Sequence, residues 1–452
     1  MTDTPSGAYT DDTDQAATPF PSAGAAWYAV GVLLVAYTNS FIDRTILALL
    51  VPPIQADLGI NDTAMSLLHG FAFAIFYTAL GVPIARLSDR YARRRIILIG
   101  TAFWSVMTML CGLARNFAQL FLTRVGVGVG EAALSPAAYS MIADLFPKDR
   151  LGRALGVYST GVFFGAGLAF IIGGALVNAL AEMPSIALPL LGPVEPWRAT
   201  FILVGLPGIV IGLLMLTVAE PKRRGVAVSS DNGRFRETLA FMRRNRATLT
   251  CHFLGFSALA VIFNGFIAWS PTFFVRAFGY APGDAGIALG WLILLAGPAG
   301  IITGGMLSDT FMRRGHTDGA MRAGMIGGVG LIVPAGLATL MPSPQLALGL
   351  FAVLFFFSSF PYGAAAAALQ IITPNRMRAQ LSALYLLVLN LIGIGLGPTV
   401  IAATSDYLLG GPQKLGLSMA IIGGVMAPAG AALLFFGLKP FRISAAEDPE
   451  TT

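Results

Sequence analysis

The sequence predicts an all-α membrane protein: twelve transmembrane helices in two pseudo-symmetric six-helix bundles. Three observations lead there. The 452-residue chain is 56% hydrophobic and only 12% charged, against roughly 25% charged in a soluble globular protein. Twelve of its apolar runs are long enough to cross about 30 Å of hydrocarbon. A charged loop motif recurs at corresponding places in the two halves.

Taken in order, residues 1–24 are acidic, with Asp3, Asp11, Asp12 and Asp14 and no Lys or Arg. They lack the basic start of a secretory signal and read as a disordered tail. Apolar runs follow at 26–50, 65–86, 95–114, 117–142, 153–178 and 198–218, inside a first bundle at 25–219. A basic, polar linker occupies 220–246. The second bundle, 247–440, holds runs at 248–275, 284–307, 321–341, 345–371, 379–404 and 415–438, and 441–452 forms a C-terminal tail. Cys111 and Cys251 fall near ends of their helices that face opposite sides of the membrane, so no disulfide is expected.

Charge placement orients these spans. The net charge of +6 is no nucleic-acid signal, because the cations sit in short clusters between apolar runs. Of the 29 Lys and Arg, 23 lie in the loops after even-numbered spans and in the C-terminus. Arg115, Arg198, Arg276 and Lys414 lie on the other side; Arg44 and Arg124 lie inside spans. The bias predicts a multi-pass plasma (inner) membrane protein with both termini and the linker in the cytoplasm.

The loop after span 2 reads Ala85-Arg86-Leu87-Ser88-Asp89-Arg90-Tyr91-Ala92-Arg93-Arg94, and the loop after span 8 reads Gly305-Met306-Leu307-Ser308-Asp309-Thr310-Phe311-Met312-Arg313-Arg314. Asp89 and Asp309 stand 220 residues apart, as do Arg93 and Arg313 and Arg94 and Arg314. Parallel duplication of six spans is the plan of a family of secondary transporters. The loops resemble the Gly-x-Leu-Ala-Asp-Arg-x-Gly-Arg-Arg signature of the major facilitator superfamily, with Ala85 for the first Gly and Ser88 for the Ala. Physically the motif reads as a conformational latch: an Asp at a helix end pairs with arginines and with the positive N-terminus of a neighbouring helix. Its members would be Asp89, Arg90, Arg93, Arg94, Asp309, Arg313 and Arg314, closing the cytoplasmic side while the other side is open. The plainer alternative is that the arginines only fix orientation.

Charges within spans point to the site. Each costs on the order of 2.5–3.5 kcal/mol at a helix centre facing lipid, so they must face protein or water. Arg124 and Glu131, seven residues apart in span 4, share one helix face about 10 Å apart. The glycines at 126, 128 and 130 let a neighbouring helix approach. Span 1 carries Asn39, Asp43 and Arg44. A cluster of Asp43, Arg44, Arg124 and Glu131 is neutral overall, which makes its burial tolerable. The alternatives are a structural ion pair in span 4 and a capping role in span 1.

No Asp, Glu, Lys or Arg lies deep within a span of the second half, so the titratable machinery is confined to the first. A carboxylate in a dry cavity binds a proton more readily, and a nearby Arg opposes this, so moving the Arg toggles proton affinity. A substrate headgroup competing for Arg124 or Arg44 would thereby link its own movement to that of protons on Glu131 or Asp43. His69 could join the relay. The second half would supply apolar and neutral walls; the substrate-cavity candidates are Tyr37, Asn39, His69, Phe263, Asn264, Trp269, Phe356, Phe360, Tyr362, Tyr385 and Asn390.

The span 5 pattern around Gly161, Gly165, Gly167, Gly173 and Gly174 lacks the Pro of the superfamily's proton antiporters, which weakens a drug-antiporter reading. Asn39, Asp43 and Arg44 in span 1, with Arg124, Gly130, Glu131, Ala132, Ser135, Pro136 and the run from Phe146 to Arg150, resemble the spinster branch, clearest over spans 1–5. The resemblance implies a proton-linked carrier of an amphiphilic substrate such as a lysophospholipid or sphingolipid-like molecule. It implies Asp43 and Glu131 as protonation sites and Arg124 as their switchable partner. No metal cluster, nucleotide loop or nucleophile with a paired base is present, so no enzyme and no cofactor beyond protons is expected. The expected partners are the substrate, protons and the bilayer; the chain is expected as a monomer without nucleic acid. The rival readings are an uncoupled facilitator, a proton-driven multidrug or metabolite exporter, and a non-transporting membrane receptor.

Overall fold

Among the described residues of the computed structural model, twelve helices are long and apolar enough to cross a bilayer. They are Ala23–Leu49, Asp62–Gly81, Arg93–Cys111, Phe117–Leu145, Arg150–Ala181 and Pro196–Thr217, then Arg246–Phe278, Pro282–Arg313, Gly319–Leu340, Pro344–Ile372, Gln380–Leu408 and Pro412–Ala446. They are called spans 1–12 below. The structure describes residues 20–181, 183, 185–188, 192–223, 234–374 and 377–446. The N-terminal tail at 1–19, the middle of the linker and residues 447–452 lie outside the described residues.

Local chemistry sets the ends. Side-chain oxygens of Ser22, Asn61, Asn116 and Ser343 accept free first-turn N–H groups, the usual role of a capping residue. Pro196, Pro282 and Pro344 occupy first turns, where a missing N–H costs nothing. Three features depart from the expected pattern. Residues Ile186–Leu188 and Gly192–Val194 form a short antiparallel hairpin between spans 5 and 6. The linker contains a helix, Arg234–Arg244, with apolar and basic faces. Span 12 stays helical to Ala446, past the predicted boundary at 440.

Spans break where they meet other spans. Span 1 leaves the α-helix after Thr45 for a tight turn, Ile46–Leu49. Span 2 bends at Gly70, where an added Cβ would lie 2.5 Å from the carbonyls of Ile394 and Gly395 in span 11. Span 10 breaks at Phe360–Pro361, and span 11 widens into a π-helical turn, Asn390–Leu396. Within each half the duplication shows in matching contacts. Gly205 and Gly208 seat span 6 on Ser105 and Met109 of span 3, and Gly423 seats span 12 on Ala335 of span 9.

Between the halves, close approach runs over only part of the membrane. Along spans 5 and 8, Gly174 meets Gly283, Gly167 meets Gly290, and Phe163 meets Gly297. Further toward the basic end, Cβ atoms built at Gly152 and Gly156 of span 5 or Gly305 of span 8 would meet nothing within 4 Å. Spans 2 and 11 repeat the pattern, with Gly70 against Gly395 and open space at Gly81. The halves are joined at the end away from the linker and splay apart toward it.

Candidate functional site

The four charges predicted within spans 1 and 4 come together at the point where the halves part. Asp43 is fully buried. Its Oδ2 accepts from Asn39 Nδ2 at 3.0 Å and from Trp104 Nε1 at 2.9 Å, while Oδ1 has no partner. Arg44 Nη2 donates to Glu131 Oε2 at 2.5 Å. Its guanidinium carbon sits 4.0 Å from the Phe73 ring centre, 4.7 Å from Phe41 and 5.6 Å from Tyr77. Such an aromatic cage stabilises a cation where water is scarce. The Arg44 side chain keeps 17% of its surface exposed while Glu131 is buried, so Arg44 is the member of the pair that a ligand can reach. Arg44 Nε and Glu131 Oε1 are unpartnered.

Arg124 departs from expectation. It forms no ion pair with Asp43 or Glu131 among the described bonds. Its guanidinium donates to three backbone carbonyls: Asp43 at 3.1 Å, Arg44 at 3.4 Å and Leu68 at 3.4 Å. The first two are carbonyls that the break after Thr45 leaves free at the end of the span 1 helix. The cation paired with Glu131 in this geometry is therefore Arg44, and Arg124 is a buried brace. The glycines of span 4 explain the close packing. Gly128 approaches the Phe73 backbone in span 2, and Gly130 approaches Trp104 in span 3, which brings the indole within reach of Asp43.

The other expected cavity residues divide. Tyr37 stacks on Tyr158 at 4.7 Å, and Tyr139 meets Tyr158 edge-on at 5.4 Å. Phe263 and Tyr362 pack on each other and on Phe163. Tyr362 is 40% exposed and Tyr139 43%, as residues on the open side should be. Asn264 spends its amide on the Ala260 carbonyl of its own helix. Asn390 opens the π-helical turn of span 11. His69 is buried with Nε2 unpartnered, its ring 6.0 Å from Trp269. Three candidates are not cavity walls. Trp269 is buried and donates to Pro398 O, Phe360 is buried against Phe356 and Phe357, and Tyr385 is buried against His252 and Phe253. Their large rings fill the helix interfaces of the second half.

Among the described residues, no latch residue joins the halves in this conformation. Arg93 is buried and bonds Asp144 and Ser140 in its own half, and Glu220 at 2.9 Å and the Pro221 carbonyl at 2.8 Å at the start of the linker. Arg94 donates to Val218 O, and Arg313 to the carbonyl of Asp309 on its own helix. Arg90 is exposed, no described bond of Arg314 crosses between the halves, and the side chain of Asp89 lies outside the described residues.

Among the described residues, the bonds found to join the halves lie at the opposite end, and the sequence reading did not anticipate them. Arg276 of span 7 grips Asp62 of span 2 through two bonds of 2.6 and 2.8 Å. It also donates to Gln55, and Asp406 accepts from the Thr63 backbone and hydroxyl. Asn178 donates to Asp284. The available signal was Arg276 itself, one of the few cations on the sparsely charged side.

Comparison with known proteins agrees with this geometry. The sequence model described as Major Facilitator Superfamily matches residues 33–398. An MFS-type efflux pump of Mycolicibacterium smegmatis is 28% identical, the match covering 95% of this chain and 96% of that protein. Protein spinster of Drosophila melanogaster is 26% identical over 85% of this chain and 62% of its own length. Among solved structures, a bacterial homolog to the human lysosomal transporter Spinster, in an inward-facing, unoccupied conformation, superposes with a TM-score of 0.75. That pair is 28% identical and the match covers 94% of this chain and 98% of the other.

Proposed function

The chain belongs to the major facilitator superfamily, and from that premise we propose that it is a proton-coupled secondary transporter of an amphiphilic substrate such as a lysophospholipid or sphingolipid-like molecule. It is a spinster-like, multi-pass membrane transporter of the alternating-access kind. The observation that carries the finer reading is the Arg44–Glu131 pair at the closed floor of a cleft that opens toward the linker.

An anionic headgroup entering that cleft meets Arg44 in its aromatic cage and competes with Glu131 for the guanidinium. A carboxylate that loses its cation in a water-poor site takes up a proton, so headgroup and proton arrive together. Asp43 beside it is held by two neutral donors and keeps one oxygen free, which leaves room for a second proton. The apolar tail would lie along Tyr362, the exposed member of a ring cluster whose other two, Phe163 and Phe263, are buried behind it. The positive-inside bias supports a plasma-membrane orientation with both termini cytoplasmic, and the proposed working unit is the monomer. The similarity of nearly the whole chain to an efflux pump favours one further reading, a proton-driven exporter of small molecules.

The test uses proteoliposomes. Labelled lysophospholipid should move with an imposed pH gradient in the wild type, and Glu131→Gln or Asp43→Asn should abolish the gradient's effect. Movement that ignores the gradient would leave a facilitator. No movement, with gradient-linked efflux of small apolar cations instead, would favour the exporter.

A further inference from the structure

On the flank of the second bundle, at its basic end, the linker helix Arg234–Arg244, the first turns of span 7 and Val388 of span 11 enclose an open groove of about 700 Å³. Its walls are apolar apart from Thr250: Leu239, Leu249, Phe253, Leu254 and Val388. Its rim carries Arg243 and Arg246, both exposed and neither in an ion pair among the described residues. No Asp or Glu lines it.

We infer that this groove is a binding site for an anionic glycerophospholipid of the surrounding leaflet, separate from the transport cleft. Arg246, Leu249 and Phe253 follow at helical spacing on one face of span 7. The face descends about 10 Å from rim to base, the step from headgroup level into hydrocarbon. Two unpaired cations at the top and an apolar trough below match a phosphate with an acyl chain, and fit neither a zwitterionic headgroup nor a free anion. Basic pockets at the edge of membrane helices recognise such headgroups through their charge. The walls are held in place: Thr238 of the linker helix donates to Gln380 of span 11 at 2.6 Å, and Phe241 of the same helix is buried. The bound lipid would therefore tie the linker to spans 7 and 11 on one side of the molecule.

The test is native mass spectrometry of the purified full-length protein, titrated with phosphatidylglycerol and with phosphatidylcholine of the same acyl chains. The wild type should retain phosphatidylglycerol in preference, on the order of thirtyfold, the scale set by two cationic contacts at a membrane surface. Arg243→Gln with Arg246→Gln should erase the preference, whereas Arg243→Lys with Arg246→Lys should keep it, which a folding defect would not. Thr250→Trp, which fills the trough and leaves both charges, should weaken retention of both lipids. Equal retention of the two lipids by the wild type would overturn the anionic assignment. Retention untouched by Thr250→Trp would overturn the groove and leave only diffuse surface attraction.

Discussion

Replacing Arg276 with Ala should tip the molecule toward the conformation open at its other end. The guanidinium makes two bonds to Asp62 and one each to Gln55 and the Pro412 carbonyl. Removing one partner of a buried pair costs about 3–5 kcal/mol when the other is stranded. Here a quarter of the Arg276 side chain is exposed. Asp62 would also keep the Gln55 amide at 2.7 Å and its place in the first turn of span 2, where a helix N-terminus favours an anion. About 2 kcal/mol remains, close to a thirtyfold change in the ratio of the two conformations. Spin labels at the exposed positions Leu113 and Leu408 would report on this end, and labels at Leu87 and Met312 on the basic end, in a background lacking Cys111 and Cys251. Arg276→Ala should lengthen the first distance and shorten the second in nanodiscs. Adding Asp62→Asn should then change little, because its partner is already gone. Unchanged distances in Arg276→Ala, or a second shift of equal size from Asp62→Asn, would refute the reasoning.

Three further substitutions probe other parts of the frame. Gly290→Val should destabilise the closed end by about 1–3 kcal/mol, since even a Cβ there lies 2.7 Å from the Gly167 carbonyl; a lowered unfolding temperature and lengthened distances at that end would show it. Arg93→Ala strips the buried partner from Asp144 and Glu220 and should cost about 3–5 kcal/mol, read as loss of a monodisperse profile; Arg93→Lys should not restore it, because one ammonium cannot span four acceptors on two elements. Trp104→Phe keeps the ring but removes a donor to Asp43 and should cost about 1.5–3 kcal/mol, a loss that should largely vanish in an Asp43→Asn background.

The twelve spans and the four intramembrane charges were legible because their signals are local: length, hydropathy, loop charge and spacing along one helix. Their partners were not. The carboxylate of Asp43 is held by an indole 61 residues away, and nothing in the composition of span 3 marks Trp104 as polar-facing. Opposite charges suggested that Arg124 would pair with an acid, yet the break in span 1 leaves carbonyls unsatisfied, and a buried guanidinium serves them instead. The Asp62–Arg276 grip joins residues 214 apart across the two halves, a contact created only by the relative placement of the bundles. The aromatics of the second half failed as cavity markers for the opposite reason. Phe360, Trp269 and Tyr385 are aromatics of apolar spans like Tyr362, and only packing separates a wall from a core.

The placement of Arg124 gives the cluster a mechanical consequence. Its three bonds tie the end of the span 1 helix to the carbonyl of Leu68, immediately before the bend of span 2 at Gly70. Downstream of Asp43 and Arg44, span 1 continues through the buried turn Ile46–Leu49 to the helix Val51–Leu58, whose Gln55 touches both Asp62 and Arg276. Downstream of the bend, span 2 packs on the span 11 carbonyls. The residues that would bind headgroup and proton thus share an unbroken chain of packed backbone with the grip that closes the far end. Packed interfaces of this kind hold discrete arrangements in preference to intermediate ones. A ligand that separates Arg44 from Glu131 therefore acts on span 1 at a point where displacement is resisted by Arg124 and, through it, by the same elements that hold the gate.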